Sequence, residues 1–253
     1  MERAIPDLTV GADDLPAGFP HPWPVRGDGA RPLRYHVTAA TCRAALRSFY
    51  GPLLRLEGLE NVPRQGGPLI IASNHLSNLD PMIVGGFTPG PNSAMAKVEL
   101  FKPAAMAWIF GGCNCFPVVR GSADRWALRT GLALLEHGAR LILWVEGTRA
   151  EKPGMKRVEP GVGFLLRRRP VPVLPVGITG TEAALLRGRR LPQRVPITVR
   201  FGVPVRLDLT APGSKDNQEV ADRVGALVAA QLPEAYRGVY SERAAAILAG
   251  AAA

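Results

Sequence analysis

The sequence predicts an α/β fold with a largely parallel sheet, because short apolar runs alternate with helical patterns from residue 51 onward. The chain has 253 residues, of which 47% are hydrophobic and 21% charged. This length and composition suit one large globular domain, or one domain preceded by an arm, with enough apolar residues for a sizeable core. A disordered chain is excluded.

Seven apolar runs are predicted as strands, at residues 53–56, 69–72, 94–96, 116–119, 141–145, 173–176 and 197–201. Helical patterns lie between them at 81–87, 100–110, 125–137 and 162–168, and alanine-rich helices are predicted at 218–232 and from Ser241. In a largely parallel sheet, ligands gather at the carboxyl ends of the strands. The residues that directly follow each predicted strand are therefore the first candidates for a functional site.

The first 50 residues predict a separate segment. Residues 1–34 are rich in Pro, Gly and Asp and predict an irregular arm. Residues 36–50 place apolar side chains at helical spacing, with Arg43 and Arg47 on another side. This amphipathic helix either lies at a membrane interface or packs on the domain formed by residues 51–253.

No export signal or membrane span is predicted. The amino terminus has mixed charge and lacks the apolar core of a secretory signal. The longest uncharged run, residues 103–119, is shorter than a spanning helix needs and is interrupted by Gly, Asn and Pro. We therefore expect a cytoplasmic protein that meets a membrane only at its surface.

The formal net charge of +10 favours an anionic partner. Arginines cluster at 167–169 and 186–194, but aromatic residues make up only 6% of the chain and no common nucleic-acid motif is present. Phosphate-bearing small molecules and anionic lipid headgroups are thus preferred over nucleic acid. Each cluster is equally well explained as a solvated surface.

Neither metal nor disulfide chemistry is predicted. Three cysteines cannot form an even set of disulfides, and Cys113-Asn114-Cys115 lacks the spacing of a zinc or thioredoxin-like pair. His21, His36 and His137 are scattered without ligand spacing. We expect a reducing compartment, no metal and no bound cofactor.

The stretch SNHLSNLD at 73–80 follows a predicted strand and precedes a predicted helix that begins near Asp80-Pro81. A turn there can fold Asp80 back onto His75, fixing the imidazole tautomer so that the other ring nitrogen is a general base for an alcohol. Alternatively, Asp80 is only a helix N-cap, or forms a capping box with Ser77 around a structural histidine. The loop by itself leaves these interpretations open.

Charged residues end three further predicted strands: Glu146 to Arg149 follow one, Lys97 another and Arg120 a third. Gly147 permits a tight turn, and the guanidinium of Arg149 is a bidentate phosphate donor. Glu146 would orient Arg149 or a substrate hydroxyl. Each charge alone is explained as solvated, but together the three cations predict a phosphate pocket.

Four ordered blocks give the sequence a specific resemblance. NHLSNLD resembles the NHxSxxD signature of the glycerolipid acyltransferases, and GGCNCFPVVRG, EGTRA and VPVLPVGITG follow in the order and spacing of that family. AMAKVEL resembles the stretch between the first two blocks. The likeness covers about residues 52–205 and is nearest to the bacterial 1-acyl-sn-glycerol-3-phosphate acyltransferases of the PlsC type.

The resemblance implies acyl transfer from acyl-CoA or acyl carrier protein to the hydroxyl of lysophosphatidate, giving phosphatidate on an anionic membrane surface. It implies that His75 removes the hydroxyl proton and that Asp80 holds the imidazole. The absence of a Gly-x-Ser-x-Gly motif agrees with direct attack without an acyl-enzyme. The resemblance implies a phosphate site formed by Glu146, Gly147, Thr148, Arg149, Arg120 and Lys97, and an acyl or acceptor pocket that includes Pro172, Pro175 and Val176.

Two departures from the family pattern leave other acceptors open. Ala150 stands where the family usually has serine, and KRVEPG at 156–161 places an acidic residue and a proline in a segment that is usually basic. Glycerol 3-phosphate, another lysophospholipid or a lyso-aminolipid are the alternative acceptors. A lipid-binding protein without catalysis is the alternative of a different class.

Overall fold

A central sheet of seven strands organises the protein. The computed structural model describes residues 8–9, 24–25, 33–64, 67–118, 124–150, 152–186, 188–189 and 191–251. The strands of the central sheet are β3 (Leu54–Glu57), β4 (Leu69–Ser73), β5 (Asn92–Lys97), β6 (Cys115–Val118), β7 (Arg140–Trp144), β8 (Val173–Thr179) and β9 (Ile197–Phe201). A separate antiparallel pair is formed by β1 (Leu8–Thr9) and β2 (Pro24–Val25).

The helices in the described part of the chain flank this sheet. They are α1 (Leu33–Tyr50), α2 (Asp80–Phe87), α3 (Ala104–Gly112), α4 (Arg125–Glu136), α5 (Gly161–Arg168), α6 (Thr181–Ala184), α7 (Asn217–Ala229), α8 (Glu234–Arg237) and α9 (Ser241–Ala251). Short 3-10 turns occupy Gly51–Leu53, Leu59–Asn61, Val98–Phe101 and Gly238–Tyr240. The predicted α/β class with a mostly parallel mixed sheet is confirmed.

The strand order is β3-β9-β8-β4-β7-β5-β6. All pairings from β8 to β6 are parallel, whereas β9 is antiparallel to β8, and β3 is parallel to β9. The carboxyl ends of β4 to β8 therefore meet at one edge of the sheet, called the carboxyl edge below. Their other ends form the amino edge, which is where β9 finishes.

The central strand β4 shows why the sheet needs helices on both sides. All five of its residues are buried, and their side chains alternate between two apolar clusters. Ile70 and Ala72 belong to the cluster covered by α3, α4, α5, α7 and α9. Leu69 and Ile71 belong to the cluster covered by α1, α2 and α6. A strand with polar alternation would have faced solvent on one side.

Each strand predicted from an apolar run is present, with bounds that differ by a few residues. The run at 197–201 matches β9, while β8 extends three residues beyond the predicted 173–176. The predicted helix at 100–110 is shorter, because Pro103 stands at the N-cap of α3 and a 3-10 turn precedes it. Periodicity located the elements, and local caps decided their ends.

Helix α1 begins at Leu33 rather than at His36 and packs along α2. Leu46 and Tyr50 are buried, and Nη1 of Arg43 donates to the carbonyl of Gly86 at 2.8 Å. Packing on the domain, one of the two predicted roles, is thus observed. Most of the predicted arm at 1–34 lies outside the described residues. No helix in the described part of the chain combines the length and apolar character that crossing a membrane requires.

Candidate active site

The loop after β4 is anchored first by Asn74. Its side-chain amide donates to the carbonyl of Ile178 at 2.9 Å, and the amide of Ile178 donates back to Oδ1 at 2.8 Å. Asn74 is buried, so both bonds are shielded from water. This pair of bonds ties the loop to β8 and directs the next residue, His75, over the carboxyl edge.

Asp80 gathers the loop around one carboxylate oxygen. Its Oδ2 lies 2.7 Å from Nδ1 of His75 and accepts the backbone amides of Leu76 and Ser77 at 2.7 and 2.8 Å. Asp80 is fully buried, while the exposed fraction of His75 is 5%. An ionised carboxylate only accepts hydrogen bonds, so Nδ1 carries the proton and Nε2 has the free lone pair. This arrangement is what a general base for an alcohol requires.

The N-cap interpretation of Asp80 is wrong in detail. Asp80 is the first helical residue of α2, the N-cap is Leu79, and no side chain caps the helix. The carboxylate faces back along the loop because three donors precede it. The carboxylate half of the predicted capping box with Ser77 is formed, but the hydroxyl of Ser77 instead lies 3.4 Å from the amide of Leu79. One carboxylate therefore serves both the turn and the imidazole.

Glu146 connects this loop with the segment that follows β7. Its Oε1 accepts the amide of His75 at 3.1 Å, and its Oε2 accepts the amide of Lys156 at 2.8 Å. The amide of Ala150 in turn donates to the carbonyl of His75 at 2.8 Å. Burial raises the pKa of Glu146, although the two backbone donors oppose that shift. The expected partners of Glu146 were Arg149 or a substrate hydroxyl, and its observed partners are two backbone amides.

Gly147 makes the turn that brings Arg149 to the carboxyl edge. Its φ is +67°, a conformation that favours glycine, and a Cβ there would approach Cγ of Glu159 to 2.9 Å. Thr148 is exposed and Arg149 is half-buried. Within the described residues, the guanidinium of Arg149 has no hydrogen-bond or ion-pair partner. The turn thus delivers a cation with free donors one strand away from His75.

The other predicted cations differ in their surroundings. Lys97 ends β5, the neighbour of β7, and its ammonium pairs with Glu99 at 3.1 Å, where both side chains are nearly half exposed. Arg120 lies outside the described residues. Lys97 and Arg149 therefore lie at the carboxyl ends of adjacent strands, Lys97 as the last residue of β5 and Arg149 in the turn after β7. The charge of Lys97 is already partly balanced by Glu99.

The three residues predicted for an acyl or acceptor pocket lie along β8 and just before it. Val176 pairs in register with Ser73 and is fully buried, and Pro175 is one residue further from the carboxyl edge. Pro172 precedes the strand, and its carbonyl accepts the amide of Ile70. The sheet thus brings Val176 near the His75 loop and holds Pro172 at the amino edge.

Trp144 and Asn74 were missed by the sequence reasoning. The ring centroids of Trp144 and His75 lie 5.4 Å apart, so the indole forms one wall beside the imidazole. Its position as the last residue of β7, two residues before Glu146, was the available signal. For Asn74, the signal was its place between a buried strand and the histidine.

A family model described as Acyltransferase matches residues 53–179, which is half of the chain and contains every site residue described above. The chain belongs to the acyltransferase family. The family model ends at the last residue of β8, so α6 and all later elements lie beyond it.

Individual members of this acyltransferase family are about a quarter identical to the chain over the aligned residues. A 1-acyl-sn-glycerol-3-phosphate acyltransferase of Limnanthes douglasii is 25% identical over 163 residues, covering 63% of this chain and 57% of that protein. A probable 1-acyl-sn-glycerol-3-phosphate acyltransferase of Mycoplasma genitalium is 29% identical over 131 residues, covering 49% and 48%. The match thus spans about half the length of these relatives.

The fold of the acyltransferase is similar to a solved structure. The crystal structure of the 1-acyl-sn-glycerophosphate (LPA) acyltransferase PlsC from Thermotoga maritima superposes with a TM-score of 0.63 at 23% identity. The superposition covers 75% of this chain and 76% of that chain. The shared fold extends well beyond the four sequence blocks.

Proposed function

We propose that this acyltransferase moves a fatty acyl group from acyl-CoA or acyl carrier protein to the hydroxyl of lysophosphatidate, forming phosphatidate. The observation that carries the proposal is the buried His75–Asp80 pair at the carboxyl edge, with Glu146 bonded to the backbone of the same loop. The names of the relatives support lysophosphatidate as the acceptor. The donor is proposed from its chemistry, because acyl-CoA and acyl carrier protein are both anionic and the chain has a formal net charge of +10.

In the proposed mechanism, Nε2 of His75 takes the proton of the acceptor hydroxyl while the oxygen attacks the thioester carbonyl. The carbon–oxygen bond forms, the carbon–sulfur bond breaks, and the proton passes from the imidazolium to the departing thiolate. Asp80 stays ionised, holds Nδ1 and stabilises the transient imidazolium. No acyl-enzyme is needed, since the acceptor itself is the nucleophile.

The acceptor phosphate is proposed to bind beside the Gly147 turn. Arg149 offers a planar pair of donors there, and Thr148 adds an exposed hydroxyl. Lys97, at the end of β5, and Arg120, from its place in the sequence after β6, would add positive charge. Val176 and Pro175 of β8 would line the acyl or acceptor pocket below the histidine loop.

One observation favours a second acceptor class. The side chain of Glu159 lies against Gly147 and is exposed, so a negative charge stands beside the proposed phosphate site. A carboxylate there opposes a phosphate dianion and suits an acceptor with an ammonium group. A zwitterionic lysophospholipid or a lyso-aminolipid is therefore the second candidate.

Thiol release from a long-chain acyl-CoA tests the proposal. The purified protein in detergent is assayed with and without lysophosphatidate, as wild type, His75→Ala and His137→Ala. His137 is the matched control, because it is exposed at the end of α4 and bonds only to the carbonyl of Ala133 in the described structure. We expect acceptor-dependent release that falls by about 10³-fold in His75→Ala and is unchanged in His137→Ala.

An acceptor panel separates the alternatives. Release with a lyso-aminolipid or another lysophospholipid, but not with lysophosphatidate, would assign the second acceptor class. If no acceptor, including glycerol 3-phosphate, draws out thiol from acyl-CoA or acyl carrier protein, the protein is a lipid binder and His75 is only part of a structured turn.

The proposed substrate also requires contact with a membrane surface. The loop from Leu185 to Pro196 leaves the carboxyl edge, and the hydroxyl of Ser77 donates to the carbonyl of Leu185. This loop carries Leu191, whose exposed fraction is 80%, and exposed Arg189 and Arg194 lie near it in the sequence. We therefore propose that Leu191 enters the headgroup region of an anionic bilayer and that the arginines contact lipid phosphates.

Sedimentation with phosphatidylglycerol vesicles tests this contact without any need for catalysis. Leu191→Asp should reduce the bound fraction about tenfold, because an apolar anchor is replaced by a charge that anionic lipids repel. Val203→Asp is the matched control, since Val203 is 66% exposed but follows β9 at the amino edge. Equal losses in both variants would show only a general charge effect and would reject the loop as the docking site.

A further inference from the structure

An extended segment, Met155 to Glu159, lies between the site and the carboxy-terminal helices. It is called the bridging segment here. On its site-facing side, the amide of Lys156 donates to Oε2 of Glu146 at 2.8 Å, and the amide of Glu159 donates to the carbonyl of Val145 at 2.9 Å. The first of these bonds holds the carboxylate of Glu146, which also accepts the amide of His75.

On its other side, the bridging segment is held by the carboxy-terminal part of the chain. The amide of Met155 donates to the carbonyl of Tyr236 at 3.0 Å, and the amide of Val239 donates to the carbonyl of Met155 at 3.2 Å. The amide of Val158 donates to the hydroxyl of Tyr240 at 2.8 Å. The amides of Lys156 and Glu159 therefore point to the site, whereas those of Met155 and Val158 point to the carboxy-terminal part of the chain.

The hydroxyl of Tyr240 is itself oriented by a buried carboxylate. It donates to Oδ1 of Asp222 at 2.8 Å, and that oxygen also accepts Nε2 of Gln218 at 3.0 Å. Nη2 of Arg157 pairs with Oδ2 of Asp222 at 2.9 Å. Because Asp222 can only accept, it makes the tyrosine hydroxyl a donor on one side and an acceptor for Val158 on the other. Gly225 lets the ring approach α7 closely.

We propose that Tyr240, oriented by Asp222, is a positioning residue that sets the place of Glu146 and through it the backbone of His75. The inference rests on the proposed function and adds residues from α7 and the last turn before α9, all beyond the matched family region. The physical reason is that the bridging segment belongs to no strand of the sheet. Its position depends on these side-chain and turn contacts.

Amide hydrogen exchange tests the inference without any need for activity. Tyr240→Phe removes one hydroxyl and keeps the ring against α7. We expect exchange to accelerate about fivefold to tenfold at Lys156 and at His75, because each loses part of its hold on Glu146. Arg243→Ala is the matched control, since Arg243 pairs with Glu219 across the same α7 and α9 contact without touching the bridging segment. It should leave both amides unchanged.

A kinetic double-mutant cycle supplies the second readout, using the acceptor that supports turnover. Tyr240→Phe should lower kcat/KM about tenfold in the wild-type background and have little further effect in a Glu146→Gln background, because both changes act on one carboxylate. Arg243→Ala should not affect kcat/KM in either background. Accelerated exchange at Val158 alone, with multiplicative kinetic effects, would overturn the proposal and leave Tyr240 a stabilising residue only.

The two readouts fail in different ways. If no acceptor supports turnover but exchange at Lys156 and His75 rises in Tyr240→Phe, the proposed reaction is wrong and the positioning network stands. If turnover is found and exchange at both amides is unchanged, the reaction stands and the network is rejected.

Discussion

The carboxyl edge of the sheet buries Glu146, and the carboxy-terminal cluster around Asp222 and Tyr240 buries Asp222, with opposite effects on the pKa of the two carboxylates. Glu146 has only backbone amides as donors, and burial raises its pKa. Burial also acts to raise the pKa of Asp222, but hydrogen bonds from Arg157, Tyr240 and Gln218 outweigh it and hold that pKa below its usual value. The ionised form is therefore disfavoured for Glu146 and favoured for Asp222.

This difference distinguishes a site from a structural cluster. Asp222 has a cation and two neutral donors, so its network is complete within the protein. At the carboxyl edge, Nε2 of His75 and the guanidinium of Arg149 have no partner among the described residues. Both regions bury polar side chains, but of the two only the carboxyl edge has unused hydrogen-bonding groups that a ligand could bind.

The largest expected effect comes from neutralising Asp80, the carboxylate bonded to His75 at the carboxyl edge. Asp80→Asn should lower kcat about 10²- to 10³-fold, because the amide cannot stabilise the imidazolium that forms during proton transfer. The melting temperature Tm should change little, since the side-chain oxygen of asparagine can still accept the amides of Leu76 and Ser77. The measurement is a pair of kcat and Tm values. A large fall in Tm together with kcat would show that the main role of Asp80 is to stabilise the turn.

The pH dependence of stability should have opposite signs for the two carboxylates. Folded Glu146 keeps its proton above the ordinary value of 4.5, so its protonated form stabilises the fold below pH 4.5 and this contribution is lost as pH rises through the raised pKa. Folded Asp222 loses its proton below 3.8, so its contribution is present above that pH and is lost as pH falls through the lowered pKa.

Denaturant unfolding between pH 3 and about 7 measures both slopes. Glu146→Gln should remove the loss of stability that occurs as pH rises through the raised pKa of Glu146. Asp222→Asn should remove the loss that occurs as pH falls through the lowered pKa of Asp222. Asp222→Asn should also cost about 1 to 3 kcal/mol near neutral pH, because an amide nitrogen replaces one of two accepting oxygens. If Glu146→Gln instead makes stability fall more steeply with rising pH, the raised pKa assigned to Glu146 is wrong.

The smallest effects should come from the exposed cations of the two regions. Lys97→Gln should raise KM for the acceptor about threefold and leave Tm unchanged, because its pairing with Glu99 already balances part of the charge. Arg157→Gln should leave that KM unchanged and shift the Asp222 titration toward its ordinary range. A rise in KM from Arg157→Gln alone would place the substrate phosphate nearer to the bridging segment than to Lys97.

Much of the fold followed from local patterns. The seven apolar runs became strands because a short run of Val, Ile and Leu can be buried only with neighbours on both faces. His75 and Asp80 were identifiable because they stand within six residues at the end of such a run. The N-cap interpretation failed because the loop presents two backbone amides and the imidazole of His75 to Asp80, and sequence spacing does not fix the direction of a side chain.

The sequence by itself determined the α/β class, the strand ends proposed to carry the chemistry and the family, since each depends on periodicity or on residues close in the chain. Tertiary structure alone decided which groups restrain Glu146 and Asp222. Val158 and Tyr240 are 82 positions apart, and Arg157 and Asp222 are 65 apart. Such hydrogen bonds exist only once the helices have packed, because packing excludes the water that would otherwise satisfy the same donors and acceptors.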